Sequence, residues 1–299
     1  MNNDPGGFHT QLRALRYVGS KIRLMTKLRP IFHSMGGTFF VDVFGGSGAV
    51  IMGAGFNKRV FNDVDSDVVE FFRVLADRDH ARELFQLLRR RPMSRQMFDE
   101  MHAHYMEGGK SFAALPPAER AAAFFYRSAF AFGGKIRNGG FAATLSDRAG
   151  CKEITRYRSV LRRMAKLREW WQGTVIEHLD FGDLIEAYAN RQGALLFCDP
   201  PYYGTERHYS RNFPRMDHER LADSLNSKPC AAVVTYYDTP EIRSLYPESR
   251  WERLFLDSTK NIQRGCGKKG RVSELVLIRR FRAPSRNFHL HLRRREPAA

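Results

Sequence analysis

Thr38-Phe39-Phe40-Val41-Asp42-Val43-Phe44 runs directly into Gly45-Gly46-Ser47-Gly48-Ala49-Val50. The first part is β-branched or aromatic apart from Asp42, which is strand composition. The glycines break the strand, and the small residues after them open a helix. Arg59-Val60-Phe61-Asn62-Asp63 reads as a second short strand, and residues 67–75 place apolar side chains at helical spacing. The rhythm returns near residue 174. Residues 174–179, 194–198 and 231–235 read as buried strands of a parallel sheet, with 251–256 and 274–278 closing one edge. Strands joined by helical patterns predict an α/β fold built on a doubly wound, mostly parallel sheet.

Residues 77–173 carry no such strand rhythm; they are rich in Arg, Met and Phe and mostly helical in pattern. The exception is Ala131-Phe132-Gly133-Gly134-Lys135-Ile136-Arg137-Asn138-Gly139-Gly140-Phe141, too glycine-rich for a helix and read as a loop or hairpin. The predicted organisation is therefore an α/β domain from residues 1–76 and 174–299. Residues 77–173 form an inserted helical subdomain, with its hairpin near 130–148. No internal repeat or low-complexity tract is evident.

At 299 residues with 43% hydrophobic and 12% aromatic content, the chain can bury a proper core. No apolar run is long enough to cross a bilayer, and the N-terminal MNNDPGGFHTQ lacks a secretory h-region, which predicts a soluble, cytoplasmic protein with no membrane partner. Cys151, Cys198, Cys230 and Cys266 are far apart, and the ten histidines form no metal-binding pattern. Neither a disulfide framework nor a metal site is predicted. The net charge is +17, which favours a polyanionic partner. That charge is unevenly placed: residues 151–170 hold seven Lys or Arg against two acids, and residues 279–295 add seven arginines and no acid. Both clusters can run along phosphates.

The glycine turn lets a ligand approach the backbone with no Cβ in the way. Asp63, at the end of the next strand, can accept from a ribose diol, which points to an adenosine-containing cofactor. A dinucleotide would call for a complete G-x-G-x-x-G to seat a pyrophosphate. Here Asp42 precedes the turn, and an acid there repels pyrophosphate but attracts an ammonium. S-adenosylmethionine, with an amine, a sulfonium and a ribose but no phosphate, fits better.

The sharper motif is Leu196-Phe197-Cys198-Asp199-Pro200-Pro201-Tyr202-Tyr203, projecting from the carboxyl end of an apolar strand where α/β proteins bind ligands. Pro200 and Pro201 fix the backbone and leave carbonyls without local donors. Asp199 offers a carboxylate, Pro200 a rigid carbonyl and Tyr202 a flat aromatic face. Together they can grip an exocyclic amino group by its two hydrogens while stacking on the attached ring.

These motifs, in this order, resemble the DNA adenine-N6 methyltransferases of the DNA adenine methylase type, over nearly the whole chain. Arg16-Tyr17-Val18-Gly19-Ser20-Lys21 is similar to the family's N-terminal cofactor motif, with Ser20 where a second glycine is usual. Phe44-Gly45-Gly46-Ser47-Gly48 matches the cofactor loop, Asn62-Asp63 the ribose-binding acid, and Asp180-Phe181 the pair flanking the cofactor's adenine. Residues 234–240 and 269–277 resemble two later family segments. The resemblance implies a Rossmann-like S-adenosylmethionine-dependent methyltransferase fold with an inserted target-recognition subdomain. It assigns cofactor binding to Tyr17, Gly19, Lys21, Asp42, Phe44, Gly45, Gly46, Ser47, Gly48, Asp63, Asp180 and Phe181.

It also implies site-specific methylation of adenine N6 in double-stranded DNA after base flipping, without a metal. Tyr202 would stack on the flipped base, while Asp199 and the Pro200 carbonyl take its amino hydrogens. The glycine-rich segment resembles the family's recognition hairpin, making Lys135, Arg137, Asn138 and Arg148 candidates for base edges. Arg162 and Arg163 are candidates for phosphates. Methyl transfer to cytosine N4, to an RNA adenine or to a protein glutamine, and an inactive DNA-binding homologue, stand as alternatives. A nicotinamide oxidoreductase leaves D-P-P-Y unexplained. The recognition sequence, a restriction partner and the choice between monomer and weak dimer stay open.

Overall fold

A computed structural model of the chain describes residues 13–16, 19–106, 114–134, 136, 139–142, 151–203, 213–259 and 271–281. The strands are β1 (Phe39–Asp42), β2 (Arg59–Asn62), β3 (Val175–Glu177), β4 (Ala194–Cys198), β5 (Ala231–Tyr236), β6 (Glu252–Thr259) and β7 (Arg271–Arg279). The helices before β3 are α1 (Met25–Ser34), α2 (Ala49–Ala54), α3 (Ser66–Ala76), α4 (Arg78–Arg90), α5 (Arg95–Met106), α6 (Pro117–Phe130), α7 (Lys152–Arg162) and α8 (Met164–Gln172). After it come α9 (Phe181–Tyr188), α10 (Arg215–Ser227) and α11 (Pro240–Leu245).

The seven strands form one sheet in the order β3-β2-β1-β4-β5-β7-β6. β1 with β4, β4 with β5 and β2 with β3 are parallel; β7 runs antiparallel between β5 and β6. The expected mostly parallel sheet with two closing strands is what forms. One expectation needs correcting: β3 is not a buried strand, since Val175 is 52% exposed. It lies at the edge of the sheet, with β2 as its neighbour. β4 is the opposite case, buried at every residue, as a continuous apolar run requires.

By compactness the chain divides into two units: Met1–Ser20 with Gly45–Gly55 and Arg59–His178, and Lys21–Phe44 with Phe56–Lys58 and Leu179–Ala299. In the first, Asp65 caps α3 by accepting from the Asp67 amide, and Asp77 caps α4 through the Asp79 and His80 amides. Each such cap contributes about 1 kcal/mol. The apolar face of α3 packs inward, where Phe72 stacks on Trp171 at 3.8 Å between ring centroids and Phe61 meets Phe72 edge-on.

α6 is buried over most of its length, and Arg127 within it is 0% exposed. Its guanidinium donates to the Ile136 carbonyl, reaches the Phe98 carbonyl at 3.3 Å and lies over the Phe98 ring. That fastens the entry to the glycine-rich loop. A 3-10 turn, Phe132–Gly134, follows, and Ala131 bridges Phe141 in antiparallel fashion. Phe132 itself is 64% exposed.

In the second unit, the rings of Phe32, Phe40 and Phe197 pack together between α1, β1 and β4. Arg279 ends β7 with its guanidinium on the carbonyls of Leu225, Lys228 and Cys230 and over the Trp251 ring. This revises the reading of the arginine-rich C-terminus as a phosphate-holding run from Arg279 onward: Arg279 holds the end of α10. Arg280 pairs with Glu252 and with Ser34. Arginines from Arg282 onward lie outside the described residues. Among the described residues no helix is long and apolar enough to cross a membrane.

Candidate active site

Within the first unit, the turn after β1 is tied down by its own backbone and by one acid. The Gly45 amide donates to the Asn62 carbonyl at 2.7 Å, and the Gly48 amide closes the turn on the Gly45 carbonyl at 2.9 Å. Asp63 accepts from the Gly46 amide at 2.8 Å through Oδ2 and from the Asp65 amide at 2.8 Å through Oδ1. It therefore shapes the turn that it was expected to serve only by receiving a ribose. A carboxylate has lone pairs to spare beyond these two bonds.

The glycines also answer to the packing of the chain itself. A Cβ on Gly45 would meet the Phe61 ring at 2.1 Å, and one on Gly48, where φ is +68°, would meet Trp171 at 2.6 Å. At these two positions the missing side chain makes room for the chain's own aromatics. Ser47, also in the turn, is buried and lies 3.4 Å from the Ser20 hydroxyl.

The second unit holds the D-P-P-Y segment at the end of β4. Asp199 is gripped on both oxygens: Thr235 Oγ1 donates to Oδ1 at 2.6 Å, and Lys21 Nζ donates to Oδ2 at 2.7 Å. Lys21 is buried, 3.9 Å from Glu274 Oε2 and 4.8 Å from the centre of the Tyr202 ring. The Tyr202 hydroxyl donates to Glu274 Oε2 at 2.8 Å, and its ring meets Tyr237 edge-on at 4.5 Å. Burial, with Asp199 and Glu274 nearby, pushes the Tyr202 phenol well above its ordinary pKa, so it stays a neutral donor. Here an acceptor, an ammonium and an aromatic face are held by strands β4, β5 and β7.

Asp180 and Phe181 are brought together with Phe44. Phe44, Phe181 and Phe213 form a ring cluster with centroids 5.5 to 5.7 Å apart. Asp180 caps α9 through the Gly182 amide and forms a two-pronged pair with Arg220, at 2.5 and 3.0 Å. The Arg220 hydrogen bond is the main reason that its carboxyl sits below the usual carboxylate range. The same guanidinium lies over Phe181 at 3.9 Å, covering one face of that ring. Asp42 is fully buried at the end of β1.

Of the residues expected at DNA, Arg162 is exposed near the end of α7, its Nε on the Arg158 carbonyl. Arg163, at the junction of α7 and α8, is partly buried with its Nε on the Ser159 carbonyl, and desolvation lowers its pKa. Tyr17, Lys135, Arg137, Asn138 and Arg148 lie outside the described residues.

Residues 17–258 match the D12 class of N6 adenine-specific DNA methyltransferases. The chain belongs to that family. It is 22% identical over 282 residues to the DNA adenine methylase of Haemophilus influenzae, covering 88% of this chain and 92% of that one. It is 23% identical over 280 residues to the retron Ec67 DNA adenine methylase of Escherichia coli, covering 88% and 90%. The DNA N-6-adenine-methyltransferase of Escherichia phage P1 is 26% identical over 250 residues, which is 73% of this chain but 29% of that longer protein. Among solved structures, the rRNA methyltransferase aviRa from Streptomyces viridochromogenes aligns with a TM-score of 0.40 at 16% identity over 93% of each chain.

Two residues of this D12 methyltransferase site were missed as individuals, although the segments containing them were singled out. Thr235 follows the apolar run 231–234 of β5, and Glu274 directly precedes the apolar run 275–278 of β7. A polar side chain at the border of a buried apolar run is the signal that marks both.

Proposed function

We propose that the chain transfers the methyl group of S-adenosylmethionine to the N6 amino group of adenine in double-stranded DNA, with the target base turned out of the helix. The observation that carries this reading is Asp199, held on both oxygens by Thr235 and Lys21 beside the buried Tyr202 ring. An amino group presented there meets an oriented carboxylate and the rigid Pro200 carbonyl. Those two acceptors take its hydrogens and leave the nitrogen lone pair to face the donor, while Tyr202 supplies the stacking face. The proton that nitrogen gives up would pass to the Asp199 carboxylate.

The donor set at the glycine turn suits the cofactor: the carboxylates of Asp42 and Asp63 favour a ligand carrying an ammonium and a ribose over one carrying phosphates. When bound, S-adenosylmethionine supplies an electrophilic methyl on a sulfonium. Gly45, Gly46, Ser47 and Gly48 with Asp63 would hold it, together with Phe44, Phe181, Asp180 and the segment Tyr17–Lys21. A flipped base is needed because the amino group is out of reach in the stack. Residues 77–173 are proposed to choose the target, with Lys135, Arg137, Asn138 and Arg148 toward base edges and Arg162 and Arg163 toward phosphates. The site of action is the cytoplasm of a bacterial or phage-infected cell.

The test is transfer of labelled methyl from S-adenosylmethionine to unmethylated plasmid DNA, followed by nucleoside analysis. N6-methyladenine is the expected product. N4-methylcytosine, or label found only in RNA or protein, overturns the reading.

A further inference from the structure

We propose that Glu274 is a positioning residue: through the Tyr202 hydroxyl it fixes the plane of the ring on which the target base stacks. The proposal rests on the function argued above and deepens it. Tyr202 leaves β4 on a segment whose two prolines set its backbone, but its ring needs a hold at the far end as well: a phenol O–H lies in the plane of its ring, so an acceptor there sets the tip and biases the plane. Glu274 does that. It sits on β7 one residue beyond the Tyr236–Leu275 and Thr235–Val276 pairs, so the antiparallel ladder carries it to the end of β5, where Thr235 holds Asp199.

Its side chain is 9% exposed, and Oε2 accepts the phenol at 2.8 Å. A buried bond to an ionised acceptor contributes about twice what a neutral one does. The opposite edge of the constraint is Tyr237, perpendicular to the Tyr202 ring at 84°. Bonded at its tip and wedged at its side, the ring is held in one orientation.

Glu274 also lies near Lys21, but at 3.9 Å against 2.7 Å for Asp199. Asp199 is therefore the direct partner of the ammonium, and the contact that Glu274 makes at hydrogen-bonding distance is the phenol. This separates two roles for two acids: Asp199 faces the amino group, and Glu274 sets the stacking plane through Tyr202.

The experiment is a cycle of Tyr202→Phe, Glu274→Leu and the double variant, with Glu274→Gln as the conservative control that keeps an acceptor for the phenol. Turnover of N6-methyladenine is measured with KM for DNA, and thermal unfolding confirms that each variant is folded. A duplex with 2-aminopurine at the target position reports the stacking of the extruded base. Each single variant should lower kcat about tenfold with KM for DNA within about twofold, and raise 2-aminopurine fluorescence. The double variant should fall no more than about threefold below the worse single one, and Glu274→Gln should stay within about threefold of the parent.

Independent, multiplying losses overturn the proposal, as does a Glu274→Leu variant with parental kcat and fluorescence. Should Glu274→Leu not fold, Tyr202→Phe against Glu274→Gln decides the matter: Glu274→Gln losing as much as Tyr202→Phe overturns it. A parental protein that leaves adenine unmodified overturns the function itself, and the positioning role with it. Failure of the cycle on an active parent overturns only the role of Glu274.

Discussion

Lys21 Nζ lies 2.7 Å from Asp199 Oδ2, although 178 residues separate them in the chain. The pair joins the N-terminal motif to the D-P-P-Y segment and places a positive charge against the carboxylate meant for the amino group. It is also largely buried, with side-chain exposures of 6% and 17%.

Asp199→Ala is expected to lower turnover by on the order of 100-fold or more while leaving S-adenosylmethionine affinity nearly unchanged. Lys21→Met leaves a buried carboxylate without its cation and should cost about 3 kcal/mol of stability. Combining Lys21→Met with Asp199→Asn removes both charges, so stability should recover while turnover does not. Equilibrium denaturation and methylation assays on the same preparations check this. A double variant that regains activity would show that the pair is structural.

The glycine turn offers a separate test. Gly48→Ala places a Cβ against Trp171 at a φ of +68°, so it should cost about 2 kcal/mol through packing and backbone strain. Gly48→Ala with Trp171→Phe should recover part of that loss, because the obstacle becomes smaller. Thermal midpoints report the stability and calorimetry the cofactor affinity. An alanine variant with parental stability but weakened cofactor binding would return Gly48 to the ligand-approach explanation.

These two sites show what a linear reading reaches. Runs such as Ala194–Cys198 are apolar enough to declare themselves as strands, and the turn and D-P-P-Y lie next to strands that orient them. Contacts between distant segments are a different matter. Nothing near Gly45 or Gly48 says that Phe61 and Trp171 fill the space beside them. Nothing in the arginine-rich C-terminus says that Arg279 will be consumed by three carbonyls. The edge position of β3 likewise follows from strand order, which local composition does not encode.

The two arginine clusters therefore divide into different predictions. Arg279→Ala should cost about 2–3 kcal/mol, since it removes the guanidinium shared by the carbonyls of Leu225, Lys228 and Cys230, and should leave the salt dependence of DNA binding unchanged. Arg162→Ala should do the reverse: parental stability, with the slope of log affinity against log salt reduced by about 0.9 if it neutralises one phosphate. Binding isotherms at several salt concentrations, paired with thermal melts, check both. An unchanged slope for Arg162→Ala makes its charge a solvated surface feature.

Buried phenols set the alkaline limit of the fold. Burial pushes Tyr126, Tyr157, Tyr202, Tyr236 and Tyr246 above the ordinary value of 10.0. Below that value each phenol is protonated in both folded and unfolded chains, and pH has no effect through these groups. Above it the unfolded chain gives up the protons while the folded chain keeps them, so stability falls as pH rises. Through these groups the thermal midpoint should be level up to about pH 9 and then drop, by a five-group effect. Tyr157→Phe removes one of these groups and the bond from its hydroxyl to the Leu88 carbonyl, 2.8 Å long. It should start about 1 kcal/mol less stable at pH 8 and lose less on going to pH 11. A variant that declines as steeply as the parent would show that Tyr157 ionises equally well in the folded protein, against the burial that its place under α4 gives it.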